Sequence, residues 1–505
     1  MKKQRTIVSN FILVTVLVLI AKALGMARDV IIAPMLGTGA AADVYARVSV
    51  IPTYIFTAAA TAISMVNVPT LAQIEGERGA AGAKRYVSAL YAQILAFAGG
   101  ASLLVLLLSR PIASAMSHGA GEAQLTALLL AIAAPSLLMV SLAYLSRGIL
   151  NTRDHFATTS LVSVPSNIII IGAALMPGAD VRHISVAATV GWGLQFLMQA
   201  PQIYKDGFRP FTRFRFEEKA DYGIYRPLPS IILGNIGLHI CFTAGIMLSG
   251  DSASALRYAN TLIVTVTGIF AISLATVSFP AFSRLISEKN SEKVRLLLSY
   301  NLKLAAVMLV PLIVAAVGYG HDIIRLLYER GNFDAASTAS TGTAFSVYAF
   351  SFVGYFFQEI FNGFFYAKRN YRVPALLTLG ALAVNIALIL PLRGFGIAGA
   401  AASTTLSSVA YAAAMAFFAE KEAGRFLNAD LAAFMLKLAV PAAAMALSVA
   451  LIKLAGVGAL LPLAGIAGGR LAFVAPLGAA MCVYVGLCLA MGLIRDVLAG
   501  RKAPT

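Results

Sequence analysis

About fourteen apolar stretches, each long enough to cross a lipid bilayer, recur along this chain, and no other feature restricts its fold so strongly. A crossing needs about 20 residues at 1.5 Å rise each. The stretches lie at 7–33, 40–73, 86–109, 123–148, 156–177, 184–204, 224–249, 252–283, 294–318, 337–367, 372–392, 395–419, 430–455 and 468–494. Backbone polar groups in hydrocarbon must be satisfied within the protein, so these read as transmembrane helices. A mean hydropathy of +0.83, with 59% hydrophobic and 12% charged residues, lies far outside the range of soluble globular domains. The expectation is an all-α polytopic membrane protein of about fourteen transmembrane helices.

A net charge of +17 suggests nucleic acid in a soluble protein, but its distribution here has another explanation. Twenty-six of the 39 Lys and Arg residues fall at the two ends or on every second connection, among them Lys2, Arg85, Arg147, Arg153, Lys219, Lys289, Arg372 and Arg501. The intervening connections hold seven. This alternation is the positive-inside pattern of a protein with both termini in the cytoplasm. No nucleic-acid partner is needed to account for it; the surroundings are membrane lipids.

The first apolar stretch follows basic residues as a signal peptide does. It lacks a small-residue cleavage site before a polar mature domain, so it reads as a retained helix. Cys241, Cys482 and Cys488 all lie within spans and show no CxxC or Cys/His spacing, which points to packing, with no disulfide framework and no metal site. The five histidines are scattered, and no HExxH, GxSxG, Walker or Rossmann pattern accompanies them. Nothing in the chain reads as an enzyme, an ATPase or a cofactor protein.

An internal repeat organises the spans. "TAISMVNVPTLAQ" (61–73) is echoed by "ISLATVSFPAFSR" (272–284), with Pro69 and Pro280 in register. "GILNTRDHF" (148–156) is echoed by "GFFYAKRNY" (363–371), and the pairs Asn167-Ile168 and Asn385-Ile386 follow. The offset corresponds to six spans, an even number that preserves orientation, so the halves are parallel repeats. The expected organisation is an N-lobe over 1–204, a cytoplasmic linker over 205–223, a C-lobe over 224–420, and two further helices with a tail over 421–505. The basic stretch 205–226 reads as an amphipathic surface helix.

Three stretches carry a family resemblance: "AKALGMARDVIIAPMLGTGAAADVYARVSVIPTYIF", "LYERGNFDAASTASTGTAFSVYAFSFVGYFFQEIFNGFFYAKRNYRVPALLTLG" and "NIALILPLRGFGIAGAAASTTLSS". They closely resemble the MurJ/MviN family of the MOP (multidrug, oligosaccharidyl-lipid, polysaccharide) flippase superfamily. The resemblance covers most of residues 10–420, and its motifs "LGxxRD", "LYERGxF" and "FYAKRN" are specific. It implies a V-shaped transporter of the bacterial cytoplasmic membrane. Such a transporter moves undecaprenyl-pyrophosphate-linked sugars, above all lipid II of peptidoglycan, to the outer leaflet by alternating access. It also implies that helices thirteen and fourteen form a groove for the lipid tail, and it leaves open whether membrane potential or an ion gradient drives the cycle.

The charges at membrane depth agree with an anionic cargo. A charge there costs several kcal/mol unless it meets a partner or a wet cavity, and the N-lobe carries Lys22, Arg28, Asp29, Asp43 and Arg47. Lys22 and Asp29, seven apart, share a helical face, and Arg28 lies about 100° round from Asp29. Arg28 and Lys22 are therefore candidates to attract a pyrophosphate, with Asp29 and Asp43 supporting. The structural alternative has one of Arg28 and Asp29 snorkelling or pairing with Asp43 and the other capping a break near Gly25.

Several positions depart from the pattern that the resemblance implies. Phe56 and Thr57 stand where a basic residue of the second helix is expected, Thr261 where an arginine of the eighth is expected, and Glu359 at an often basic position of the tenth. Arg257, one turn before Thr261, offers a C-lobe cation for an anion clamp opposite Arg28, and Arg47 sits at nearly the repeat-equivalent place. Arg257 also reads as a residue snorkelling at the outer interface after Asp251. Lipid II is the leading substrate, another polyprenyl-linked oligosaccharide such as an exopolysaccharide unit the alternative. A multidrug cation antiporter fits less well, because the intramembrane charges are mostly basic. A glycosyltransferase or polymerase is set aside for want of a large outward loop bearing carboxylates.

Overall fold

The computed structural model describes residues 2–117, 119–153, 155–210, 228–249, 252–455 and 471–500. It is all-helical over those residues. In order the helices are α1 (Lys2–Leu36), α2 (Ala40–Val50), a π-helical turn (Ile51–Phe56), α3 (Thr57–Leu107), α4 (Ser109–Met116), α5 (Ala120–Asn151), α6 (Phe156–Ser160), α7 (Val164–Ala174) and α8 (Val181–Lys205). There follow α9 (Leu228–Ile236), α10 (His239–Leu248), α11 (Ala253–Ser287), α12 (Ser291–Tyr328), α13 (Ala335–Tyr348), α14 (Ser351–Ala367), α15 (Arg372–Leu392), α16 (Gly396–Ala423), α17 (Ala429–Leu454), α18 (Val474–Ala490) and α19 (Leu493–Gly500). Seven helical segments among the described residues are long and apolar enough to span a bilayer, or nine if two sharply bent pairs, α9–α10 and α13–α14, each count as one.

The breaks follow local chemistry. Pro52 donates no backbone hydrogen bond, and the ladder around it widens to the π register before resuming as α3. Within α3 the helix is broken at Gly79 (φ +66°), a conformation that costs a residue with a Cβ, and this break lies between the second and third predicted spans. Several starts are capped by side chains. The Asp180 carboxylate accepts from the Arg182 and His183 N–H groups (2.9 and 3.2 Å), Asp334 from Ser337 (2.8 Å), and Asn428 from Leu431 (2.9 Å).

The chain divides into two compact units, residues 1–239 and 240–505. In the first, α5 packs against α3 and α8 around Val87, Tyr91, Leu142, Leu145 and Ile203, and the Tyr91 and Ser146 hydroxyls meet at 2.6 Å in that core. Helix α9 packs on α3 in this same unit. In the second, α11, α14 and α16 pack together, as do α12 and α13. The last helices join this unit through α12, where Tyr319, Phe434, Met445, Tyr484 and Cys488 form one apolar cluster. Most of the expected linker, 211–227, lies outside the described residues.

Outward faces are apolar where lipid would lie: Phe97 is 81% exposed, Leu390 71% and Leu436 76%. In water such a surface would be an association hazard. In lipid it is the expected solvent-facing side, and polar groups turn inward.

Candidate functional site

The ion pair of the "LGMARD" stretch is closed on itself. Asp29 is buried, and the adjacent Arg28 folds back so that its Nη2 donates to both Asp29 oxygens (3.0 and 3.1 Å) and its Nε to Oδ1 (3.2 Å). The Arg28 Nη1 donates to Asn167 Oδ1 on α7 at 3.2 Å. The sequence reading had the two side chains diverge around α1. The structure brings them together instead, because at low dielectric a flexible guanidinium gains more from a neighbouring carboxylate than it loses in rotamer freedom. A Cβ at Gly25 would stand 3.7 Å from the Asn167 amide, an ordinary contact distance, so the arrangement does not depend on glycine there.

Asn167 belongs to the repeat noticed in the sequence, and its counterpart Asn385 is also fully buried. There the amide lies 3.3 Å from the Thr404 hydroxyl and 3.4 Å from that of Ser407. The repeated asparagine thus holds a charged pair in the first unit and hydroxyls in the second. Sequence reasoning recorded the repetition but not the role, since the ion pair it serves lies 139 residues away.

Arg47, buried to 4% exposure, forms an ion pair with Glu122 at the first turn of α5. Glu122 was not singled out in the sequence because it reads as a polar loop residue just before a span. Asp43, also buried, lies one turn before Arg47 on α2. Both Arg28 and Arg47 are therefore internally neutralised.

Lys22 differs. It is half-buried on α1, and among the described residues the charge acting on it is that of Arg147 on α5. Arg147 is likewise half-buried, with its guanidinium carbon 6.0 Å from the Tyr144 ring centre. The sequence reading had counted Arg147 among the cytoplasmic-connection cations, because it stands near the end of a span.

In the second unit Arg257 lies on the second turn of α11, 5.0 Å from the ring of buried Tyr258. Tyr258 packs with Tyr328 and Phe333 of the "LYERGNF" motif, at ring separations of 5.5 and 5.6 Å. Thr261 turns its hydroxyl back to the Arg257 carbonyl (2.9 Å), as hydroxyls do within apolar helices. Glu359 lies on α14, hydrogen-bonded by the adjacent Gln358, with Tyr366 and Tyr411 in electrostatic range. The residues proposed from sequence therefore fall into two groups, Lys22, Arg28, Asp29, Asp43 and Arg47 in the first unit and Arg257 and Glu359 in the second.

Two all-helical units with apolar outward faces and buried ion pairs have the make-up of a polytopic membrane protein. The fold agrees with solved structures: one titled "Lipid II flippase MurJ, inward closed conformation" superposes with a TM-score of 0.76 at 20% identity, covering 96% of this chain and 100% of that one. An inward-facing multidrug MATE transporter of the MOP superfamily follows at 0.66 and 14%, covering 80% of this chain and 95% of that one. Residues 32–459 match the family model "Lipid II flippase MurJ", and the chain belongs to that family. A probable lipid II flippase MurJ of Vibrio cholerae is 24% identical over 429 residues, covering 80% of this chain and 81% of that protein. The lipid II flippase MurJ of Burkholderia cenocepacia is 26% identical over 395 residues, 73% and 74% of the two chains.

Proposed function

We propose that this protein is a flippase for an undecaprenyl-pyrophosphate-linked glycan, with lipid II the substrate, carrying it from the inner to the outer leaflet of the bacterial cytoplasmic membrane by alternating access. The observation that carries this reading is the family match over 428 consecutive residues, from the end of the first helix through the thirteenth span. The cations support it. A multidrug cation carrier needs acidic groups facing its cargo, whereas Lys22, Arg147 and Arg257 favour an anionic one. No covalent chemistry is asked of the chain in this reading, and the alternation of basic connections supports both termini lying in the cytoplasm.

Arg28, Arg47, Asp29 and Asp43 then hold the first unit's polar helices in place, while Lys22 and Arg257 meet the substrate and Glu359 serves coupling to the membrane potential or an ion gradient. Depletion in a cell lacking a redundant flippase tests the reading. The lipid-linked precursor is expected to accumulate in the inner leaflet, out of reach of an impermeant reagent added outside. Unchanged leaflet distribution of lipid II would refute it, and accumulation of a different polyprenyl-linked oligosaccharide would move the substrate to an exopolysaccharide unit. For Arg257, the Arg257→Ala protein is expected to insert and express yet lose transport, and Arg257→Ala with Thr261→Arg to regain it. Full activity of the single variant would leave Arg257 structural.

A further inference from the structure

The repeat places a cluster of the same kind at one end of each unit, and the two are closed differently. In the second unit Lys368 and Asn370, on the connection after α14, both reach one carboxylate: Lys368 Nζ stands 2.8 Å from Glu422, and Asn370 Nδ2 donates to it at 2.5 Å. The alignment of "GILNTRDHF" with "GFFYAKRNY" makes Arg153 and His155 their counterparts in the first unit. These two go to different carboxylates. Arg153 Nη2 donates to Glu75 of α3 at 2.9 Å, whereas His155 Nε2 lies 3.2 Å from Asp206, the residue that follows α8. Splitting the pair leaves an opening: Glu75, Ala80, Lys84, Arg153, Asp206 and Phe208 line a cavity of about 260 Å³.

The charges lining this cavity are not matched within it. Glu75 is engaged by Arg153, whose guanidinium carbon also lies 5.1 Å from the Phe208 ring centre. Lys84 forms no ion pair among the described residues, and it stands over Gly207 (φ +78°), where a Cβ would come within 2.8 Å of its Nζ. Asp206 accepts from Gln202 on Oδ1 at 3.1 Å, while its Oδ2 and the Arg153 Nε are buried with no hydrogen-bond partner. An ammonium and a carboxylate therefore line one cavity without meeting each other. A simple anion would be drawn by Lys84 and repelled by Asp206, and a simple cation the reverse; a ligand bearing both signs is attracted by both. The cluster also stands at headgroup level. Glu75 and Lys84 flank the break at Gly79 in α3, Arg153 follows α5 and Asp206 follows α8. Phe156, next to His155, and Tyr204, two residues before Asp206, have exposed rings, as aromatic residues at a membrane interface do.

We propose that this cavity binds the headgroup of a membrane phospholipid carrying both a phosphate and a primary ammonium, the chemistry of phosphatidylethanolamine. Lys84 and the Arg153 guanidinium take the phosphate, and the Asp206 carboxylate takes the ammonium through charge-assisted hydrogen bonds. Phosphatidylcholine has no N–H to give Asp206, and phosphatidylglycerol has no cation for it. Bound there, the lipid ties α3, the connection between α5 and α6 and the end of α8 together in the first unit. Lys368, Asn370 and Glu422 make the corresponding closure in the second unit with protein groups alone. The site involves none of the residues assigned to transport above, so it stands or falls apart from the flippase reading.

The test titrates the full-length protein in detergent with phosphatidylethanolamine, phosphatidylcholine and phosphatidylglycerol of identical acyl chains, and counts bound lipid by native mass spectrometry. The wild type is expected to hold phosphatidylethanolamine about tenfold more tightly than either of the others. Asp206→Asn is expected to abolish the preference over phosphatidylcholine. Lys84→Gln, at an exposed side chain, is expected to keep the fold and weaken phosphatidylethanolamine binding about fivefold or more. Should Asp206→Asn fail to fold, Lys84→Gln decides alone. Equal retention of phosphatidylethanolamine and phosphatidylcholine by the wild type would overturn the proposal, as would undiminished phosphatidylethanolamine binding by Lys84→Gln. Phosphatidylglycerol bound as tightly as phosphatidylethanolamine would make this a plain anion site, and free phosphoethanolamine bound as tightly as the lipid would give it to a soluble ligand; either result overturns the assignment.

Discussion

Replacing Arg47 with alanine should damage the first unit. Arg47 has 5% side-chain exposure and pairs with Glu122, which has 20%, across the contact between α2 and α5. Val44, Val48, Leu129 and Leu130 of the same two helices form one apolar cluster, and removing one half of a buried pair costs about 3–5 kcal/mol. At roughly 2–4 °C per kcal/mol for a unit of this size, the midpoint should fall by about 6–20 °C. Differential scanning fluorimetry on intrinsic emission, in detergent with matched wild-type controls, reads this out. The double change Arg47→Met with Glu122→Gln should recover most of the loss, because the Glu122 carboxylate is removed together with its guanidinium. A midpoint within about 1 °C of wild type would refute the reasoning.

Asn167→Ala removes a hydrogen bond to the Arg28 guanidinium and should cost about 1.5–3 kcal/mol, with Asn167→Asp restoring the midpoint better than Asn167→Leu in the same fluorimetric assay. Tyr484→Phe deletes the bond from its hydroxyl to the Val307 carbonyl (2.8 Å) and should loosen α18 from α12 by about 1 kcal/mol, seen as faster proteolysis between α17 and α18 at unchanged expression. At the N-cap of α8, burial pushes the Asp180 carboxyl upward, but hydrogen bonds from the His183 side chain and from the His183 and Arg182 N–H groups outweigh it and hold the group below the usual carboxylate range. A depressed carboxyl stabilises the fold above its unfolded value and loses that contribution as pH falls through its folded one. Asp180→Ala should therefore lower the midpoint at pH 7 but match wild type once the pH is below the folded value. A cysteine introduced at Lys219 should resist an impermeant reagent added outside intact cells, and labelling there would refute the inward placement of 205–226.

Much of the architecture was legible because a bilayer imposes one-dimensional rules. Span length, the alternation of basic connections and the six-span repeat are properties of the chain read in order, and they led to an all-helical polytopic membrane protein, while the family was read from the resemblance of three stretches. The break at Gly79 and the widened turn after Pro52 also have local causes, since glycine and proline act on their own backbone. The partners of the charges did not. Whether Arg28 reaches a cavity or folds onto Asp29 depends on Asn167, 139 residues away, and whether Arg47 is available depends on Glu122, 75 residues away. Helix formation in lipid is governed by local hydrophobicity and backbone satisfaction, whereas the state of a charge depends on which opposite charge the packing brings within a few ångströms. That distance is a property of the tertiary structure alone, because Coulomb energy at low dielectric changes by several kcal/mol over separations that no sequence spacing encodes.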